Sequence, residues 1–172
     1  MIIRHELVTD HTVVRDVIDA AFRDHAHQPA DSEPVEPAIV EALRDANALS
    51  LSLVAEDAGE VIGHVAFSRV TIDAADLGWY GLGPVAVRPD RQRQGVGRAL
   101  IQEGLRQLRA RDAAGVVLVG EPEYYGRFGF RADARLTYAG VPSEYFLVLP
   151  FVSSVPAGPV SYHSAFSVAG GG

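Results

Sequence analysis

Residues Gly81 to Leu108 read G-L-G-P-V-A-V, then R-P-D-R-Q-R-Q, then G-V-G-R-A-L, then I-Q-E-G-L-R-Q-L. Leu82 to Val87 is apolar and partly β-branched, the composition of a strand. After Gly97 the apolar positions are Leu100, Ile101, Gly104, Leu105 and Leu108, which share one face of a helix. Between strand and helix lie Arg88, Arg91 and Arg93, and the glycines Gly95 and Gly97 open the helix. The first turn of a helix exposes N–H groups with no partner inside the helix. The macrodipole adds about half a positive charge there. Glycine lets a ligand come close to the backbone. A strand, a basic glycine loop and a helix start therefore outline an anion site, suited to a phosphate or pyrophosphate.

Composition narrows the partners. The chain has 172 residues, 48% hydrophobic and 22% charged, which suits one ordinary globular domain. It has no cysteine, so disulfides, thiolate metal sites and cysteine nucleophiles are excluded, and no metal is expected. A net charge of −7 argues against nucleic acid as a partner, while a single dense arginine loop suits a small anion. Met1 to Glu6 carries no apolar signal-peptide core, and no apolar run approaches the roughly 20 residues that span a bilayer. A cytoplasmic protein without membrane contact is the expectation.

Working outward, Ile2 to Val8 reads as a first strand, and Thr9-Asp10 can cap a helix carrying Val14, Val17, Ile18, Ala21 and Phe22. A polar loop, Arg23 to Glu36, leads to a short helix from Pro37 to Asp45. Leu49 to Glu56 and Val61 to Ile72 read as a hairpin, followed by a strand from Trp79 to Val87. Beyond the long helix, Val116 to Val119 is a strand apolar on both faces. Tyr124 to Phe128 reads as a short helix, and strands follow near Tyr145 to Pro150 and Val160 to Phe166. This order predicts one mixed α/β (α+β) domain over residues 1–168, with 169–172 a disordered tail. Its centre is a strand, a crossover helix and a parallel strand, right-handed as such units are.

The run Gly95-Val96-Gly97-Arg98-Ala99-Leu100 superficially resembles a dinucleotide fingerprint. Leu100 stands where the third glycine belongs, and the loop Arg88 to Gln94 is longer than a tight Rossmann turn. The unit also follows hairpins in mid-chain.

Gln92-Arg93-Gln94-Gly95-Val96-Gly97 resembles the Q/R-x-x-G-x-G/A signature of the GNAT superfamily of N-acetyltransferases. The signature follows Val87-Arg88-Pro89, like the family's V-x-P, and precedes Tyr125-Gly126-Arg127-Phe128-Gly129-Phe130, like its Y-x-x-x-G-F element. Gly81 to Val87, Glu121 to Phe130 and Gly158 to Phe166 are together similar to the YhbS-like subgroup of bacterial acetyltransferases. The resemblance implies a single mixed, mostly antiparallel sheet with a central splayed parallel strand pair and flanking helices. It implies acetyl-CoA as acyl donor and a small-molecule or peptide amine as acceptor. Backbone groups of Val85, Ala86 and Val87 would pair with the pantetheine arm, as an added strand does. Gln92, Arg93, Gln94, Gly95, Val96, Gly97 and Arg98 would hold the pyrophosphate.

The reaction it implies is direct attack of a neutral primary amine on the thioester. Tyr125 stands at the family's tyrosine position as general acid for the leaving thiolate, with Tyr124 one position away as the alternative. For the base, Glu121 is the candidate, with His64 a second. The strand Val116 to Val119 lacks the asparagine common in the family. A reading of a different class is a non-catalytic acyl-CoA-binding sensor of the same fold. For the acceptor pocket, Trp79, Tyr80 and the loop from Arg23 to Glu36, with His25, His27, Glu33 and Glu36, are candidates. The late strand Val160 to Phe166 offers an edge for a homodimer.

Overall fold

The computed structural model describes residues 1–23 and 33–168. His25, His27 and the tail 169–172 lie outside the described residues. In chain order the elements are β1 (Ile2–His5), α1 (His11–Arg23), α2 (Glu36–Asp45), β2 (Leu51–Asp57), β3 (Glu60–Arg69), β4 (Thr71–Ile72), β5 (Trp79–Val87) and α3 (Val96–Ala110). Then come β6 (Gly115–Val119), α4 (Pro122–Tyr125), β7 (Arg131–Ala132), β8 (Leu136–Thr137), β9 (Phe146–Pro150), β10 (Gly158–Ser161) and α5 (Ala165–Val168).

Seven strands form one sheet in the order β1-β2-β3-β5-β6-β9-β7. Every neighbouring pair is antiparallel except β5 and β6, which α3 connects. That parallel pairing is short: Trp79 faces Gly115, Tyr80 faces Val116 and Gly81 faces Val117. From Leu82 onward β5 pairs only with β3, while Leu118 and Val119 of β6 pair only with β9. The two central strands thus part, and a wedge opens between them at one end of the sheet.

Both faces of the sheet are covered. On one, Leu100, Ile101 and Leu108 of α3 pack on Leu53, Ile62 and Phe67. On the other, Val14, Val17 and Ile18 of α1 and Val40 of α2 pack on Val54, Ala66 and Ala86. Phe67 and Ala66 thus fall on opposite faces, the period-two alternation of a strand. Fully burying a side chain such as Ile18 or Leu100 contributes about 1.5–3 kcal/mol, so these two layers fix the helices that flank the wedge.

Three boundaries differ most from the sequence expectation, beside shifts of about two residues at β2 and α4 and the short strands β7 and β8. The first strand stops at His5, because Asp10 accepts a hydrogen bond from the Leu7 N–H at 2.7 Å and turns the chain early. The long strand breaks at Val70, and β4 leaves for a second, three-stranded sheet in the order β4-β10-β8. The run to Phe166 is not one strand: β10 ends at Ser161, and α5 begins where His163 Nδ1 accepts from the Ala165 N–H at 3.0 Å. Pattern reading could not see that local cap. β10 sits between β4 and β8, so it has no free edge for a second copy of the chain.

A polar cluster is sealed beneath α1 and α2. The Glu6 side chain, 4% exposed, accepts from Arg44 and from the Ser52 hydroxyl, and lies 3.3 Å from Nε2 of the fully buried His64. Ser52 Oγ is 2.8 Å from the same nitrogen, and His64 Nδ1 has no hydrogen-bond partner among the described residues. Burial alone would raise the Glu6 pKa. Hydrogen bonding to His64 and Ser52, with the Arg44 charge, outweighs it and holds the carboxyl down at about 2. Burial pushes the His64 imidazole below its usual range, which keeps the ring neutral.

Candidate active site

Two cavities lie along β5, one at the start of α3 and one where β5 and β6 part. The first, about 480 Å³, lies at the start of α3 and is lined by Val87, Arg91, Gln92, Arg93, Gly95, Val96, Gly97, Arg98, Tyr124 and Arg127. Gly95 caps the helix at φ +82°, and a Cβ built there would touch nothing within 4 Å. Its requirement is conformational: only glycine takes that left-handed turn without cost. Arg93, also left-handed at φ +64°, is the kind of backbone outlier that clusters at ligand sites. Gln92 donates from Nε2 to the Val87 carbonyl at 3.2 Å, tying the loop to the end of β5.

Ion pairing ranks the arginines, which the sequence alone could not do. Arg88 is held by Asp90 at 2.6 Å and Glu60 at 3.3 Å and lies outside this cavity. Arg91 is paired with Asp57. Among the described residues, Arg93 and Arg98 form no ion pair. Arg127 enters the cavity wall from the far side, its guanidinium 5.4 Å from the centre of the Tyr124 ring. It was missed in the sequence, although a cation inside Tyr125 to Phe130 was the available signal.

The second cavity, about 410 Å³, lies where β5 and β6 part. Leu82, Gly83, Pro84 and Val85 line it from β5, and Val119 from β6. Phe22 and Glu36 enter from α1 and α2, and Tyr138, Tyr162 and Phe166 from the C-terminal part. Tyr125 completes the wall. Gly120 makes room for it: a Cβ there would lie 2.4 Å from Tyr125 Cε2. Burial, with a smaller contribution from Tyr124, pushes the Tyr125 phenol up to about 12, so it stays protonated near neutral pH.

The other candidates are placed as follows. Val85 lines the second cavity and Val87 the first, so β5 runs from one to the other, while the Ala86 side chain is buried under α1. Gln94 is exposed on the loop and hydrogen-bonds Arg91 at 3.3 Å. Glu121 is the exposed residue that begins α4, and it lines neither cavity. Pro122 starts the helix there, and the turn that follows carries Tyr125 inward instead. His64 is enclosed in the Glu6 cluster, away from both cavities. Trp79 and Tyr80 are core, 1% and 7% exposed; the Trp79 ring occupies the space over Gly115, where a Cβ would meet it at 2.4 Å. Tyr162 and Phe166 carried no signal as pocket residues, because the chain that brings them there is distant in sequence. Among the described residues no helix is long and apolar enough to cross a membrane, and no group of three His, Asp or Glu is placed to hold a metal ion.

Known proteins share this arrangement. The sequence model of the Acetyltransferase (GNAT) family matches residues 14–130. The uncharacterised N-acetyltransferase YhbS of Escherichia coli K12 is 36% identical over 157 residues, covering 87% of this chain and 94% of that protein. A crystal structure of a Brucella melitensis GNAT acetyltransferase in complex with acetyl-CoA is 49% identical and superposes with a TM-score of 0.83, over 96% of this chain and 97% of that one. The structure of E. coli YhbS in complex with CoA is 35% identical with a TM-score of 0.82, over 96% of this chain and 91% of that one. The match spans nearly the whole chain, and the chain belongs to the GNAT family of N-acetyltransferases.

Proposed function

We propose that the protein moves the acetyl group of acetyl-CoA to a primary amine by direct attack. The observation that carries this reading is the wedge: β5 loses its β6 partner at Gly81 and then runs from the aromatic cavity to the arginine cavity. The pyrophosphate sits on the N–H groups of Arg93 to Arg98, with Arg93, Arg98 and Arg127 as counter-charges. The pantetheine arm lies along the unpaired edge of β5 at Val85 to Val87, as an added strand. The acetyl carbonyl then enters the second cavity beside Tyr125.

The chemistry balances without a covalent enzyme intermediate. An amine that has lost its extra proton adds its lone pair to the carbonyl carbon and forms a C–N bond. An N–H of β5 stabilises the oxyanion. Collapse breaks the C–S bond, Tyr125 gives its proton to the departing sulfur, and the nitrogen loses a proton that restores the phenol through solvent. A phenol pushed up to about 12 by burial is protonated at neutral pH and so carries the proton to be given.

Two measurements test the coenzyme site. Acetyl-CoA at about a hundred times its Kd should stabilise the protein by about 2.7 kcal/mol, which is a rise in Tm of roughly 5–10 °C for a chain of this size. No shift at millimolar concentration overturns the reading. In the second, Gly97→Ala leaves the unliganded Tm unchanged or higher, because its Cβ would rest at an ordinary 3.6 Å from Val87 and Tyr124 and alanine favours helix. The same methyl stands on the approach to the loop backbone, so the Kd for acetyl-CoA rises by roughly tenfold, about 1.4 kcal/mol. Unchanged affinity would remove the pyrophosphate from this loop.

A further inference from the structure

A third cavity, about 380 Å³, lies along α3 and shares Arg127 with the arginine cavity. Gln102, Leu105, Arg106 and Arg109 of α3 form one wall, and Arg127, Phe128 and Leu149 line the rest. Arg98 of the arginine cavity, Gln102, Leu105 and Arg109 recur at helical spacing, so one face of α3 serves both cavities. At the rise of an α-helix the groove begins about 6 Å beyond Arg98 and reaches about 16 Å beyond it at Arg109. Its lining is apolar between the arginines: Leu105 and Leu149 are buried and Phe128 is half-buried.

The chain has no lysine, and most of its 15 arginines are held by carboxylates. Among the described residues, the arginines without an ion pair are Arg93, Arg98, Arg109, Arg111, Arg127 and Arg131. Arg111 donates to the Ser50 carbonyl at 3.1 Å. Arg93, Arg98, Arg109 and Arg127 line the arginine cavity or the groove. In a chain of net charge −7, uncommitted cations are thus gathered along one face of α3 and opposite it. The two in the groove are held by aromatic faces. Arg127 lies over Tyr124, and the Arg109 guanidinium is 4.1 Å from the centre of the Phe151 ring. Stacking fixes the guanidinium plane and leaves its in-plane N–H groups for a phosphate. Arg106, in the same wall, is committed to Glu103. A pyrophosphate at the start of α3 accounts for Arg93 and Arg98 but stops short of Arg109. A second phosphate, set off from the first pair by a flat apolar body, accounts for the whole groove. We infer that the groove binds the adenosine 3′-phosphate end of the coenzyme and makes the enzyme select donors that carry that phosphate. The base lies against Leu105, Phe128 and Leu149, the phosphate monoester meets Arg109, and Arg127 stands between it and the pyrophosphate. This inference rests on the coenzyme reading above.

The test is calorimetric titration with CoA and with dephospho-CoA, which lacks only the 3′-phosphate, beside the acetyl-CoA shift in Tm. Loss of a charge-assisted contact should make the Kd for dephospho-CoA about 10- to 100-fold higher than that for CoA. Arg109 is exposed, so Arg109→Ala should fold normally. It should raise the Kd for CoA by roughly tenfold and leave that for dephospho-CoA within about twofold, closing most of the margin. Arg111→Ala removes an equal charge one residue beyond the helix and outside the groove, and the margin should survive it. Phe128→Ala should raise both Kd values together by roughly tenfold, through lost stacking of the base. Equal affinity for CoA and dephospho-CoA overturns the inference, and so does a margin retained in Arg109→Ala. A margin lost equally in Arg111→Ala also overturns it, because the effect is then long-range charge and not contact. Unchanged affinities in Phe128→Ala remove the base from the groove. In each of these cases a persisting acetyl-CoA shift leaves the coenzyme site standing. Absence of that shift in the parent protein overturns the coenzyme reading, and this inference with it.

Discussion

Replacing Tyr125 by phenylalanine should lower kcat by about 10²- to 10⁴-fold, the range expected for removing a positioned proton donor. The fold should be unaffected. The ring packs edge-on against Phe130 at 6.1 Å between centres, and phenylalanine keeps that packing. Acetyl-CoA should still raise the Tm as it does in the parent protein, since Tyr125 is not in the wall of the arginine cavity. Tyr124→Phe is the matched control, because Tyr124 lines that cavity and not the one where β5 and β6 part. It should leave kcat within about twofold, whereas a true donor loses at least the hundredfold above. If the loss follows Tyr124, the two roles are exchanged; if neither variant loses activity, water protonates the thiolate. Gly120→Ala should show part of the Tyr125 effect, since its Cβ would push on the ring at 2.4 Å.

Glu6→Ala should destabilise the protein by about 3–5 kcal/mol, the usual result of breaking one partner out of a buried ionic network. It strands Arg44 and leaves Ser52 and the already half-satisfied His64 without their acceptor. The same cluster sets a pH dependence, measurable as Tm against pH. Glu6 is held at about 2 against an ordinary 4.5. A carboxyl with a lowered folded pKa stabilises fully above its unfolded pKa, and that stability drains away as pH falls from about 4.5 towards 2. The shift corresponds to something on the order of 3 kcal/mol. His64 works in the same direction from a higher pH. Its folded pKa lies below the ordinary 6.5, so the unfolded chain takes up a proton first and stability falls as pH drops below about 6.5. Tm should therefore decline in two stages on acidification, and Glu6→Ala should shrink the lower one, leaving the part that Asp10 and the other ion-paired carboxylates contribute. A Tm that stays flat between pH 7 and pH 3 would contradict this account.

Local chemistry explains what could be read in advance. β5 runs from Trp79 to Val87 and α3 opens at Val96 because glycine, proline and arginine mark the turn between two strongly periodic segments. Gln92 to Gly97 carries its own geometry, being a helix start with the needed glycines, so the anion cavity was legible. The run of aromatics and glycines around Tyr125 was legible, and its fold brings Tyr125 into the wall of the second cavity. Glu121 is the extended, exposed residue just before α4 and lines neither cavity, a placement that the sequence spacing does not show. His64 was ambiguous because a strand histidine looks the same whether it faces a cavity or, as here, a buried glutamate.

The sequence by itself determined the mixed sheet with its parallel centre, the basic helix start and the family, since each rests on residues adjacent along the chain. Only the tertiary structure decided which arginines are committed to carboxylates, where β5 and β6 part company, and what encloses the second cavity. Phe22, Glu36, Tyr138, Tyr162 and Phe166 come from segments spread across most of the chain, and no local pattern marks them as neighbours. They meet because α1 and α2 cover one face of the sheet while β10 folds back between β4 and β8. The arginine cavity is thus largely a property of one stretch, and the aromatic cavity is a property of how distant stretches pack.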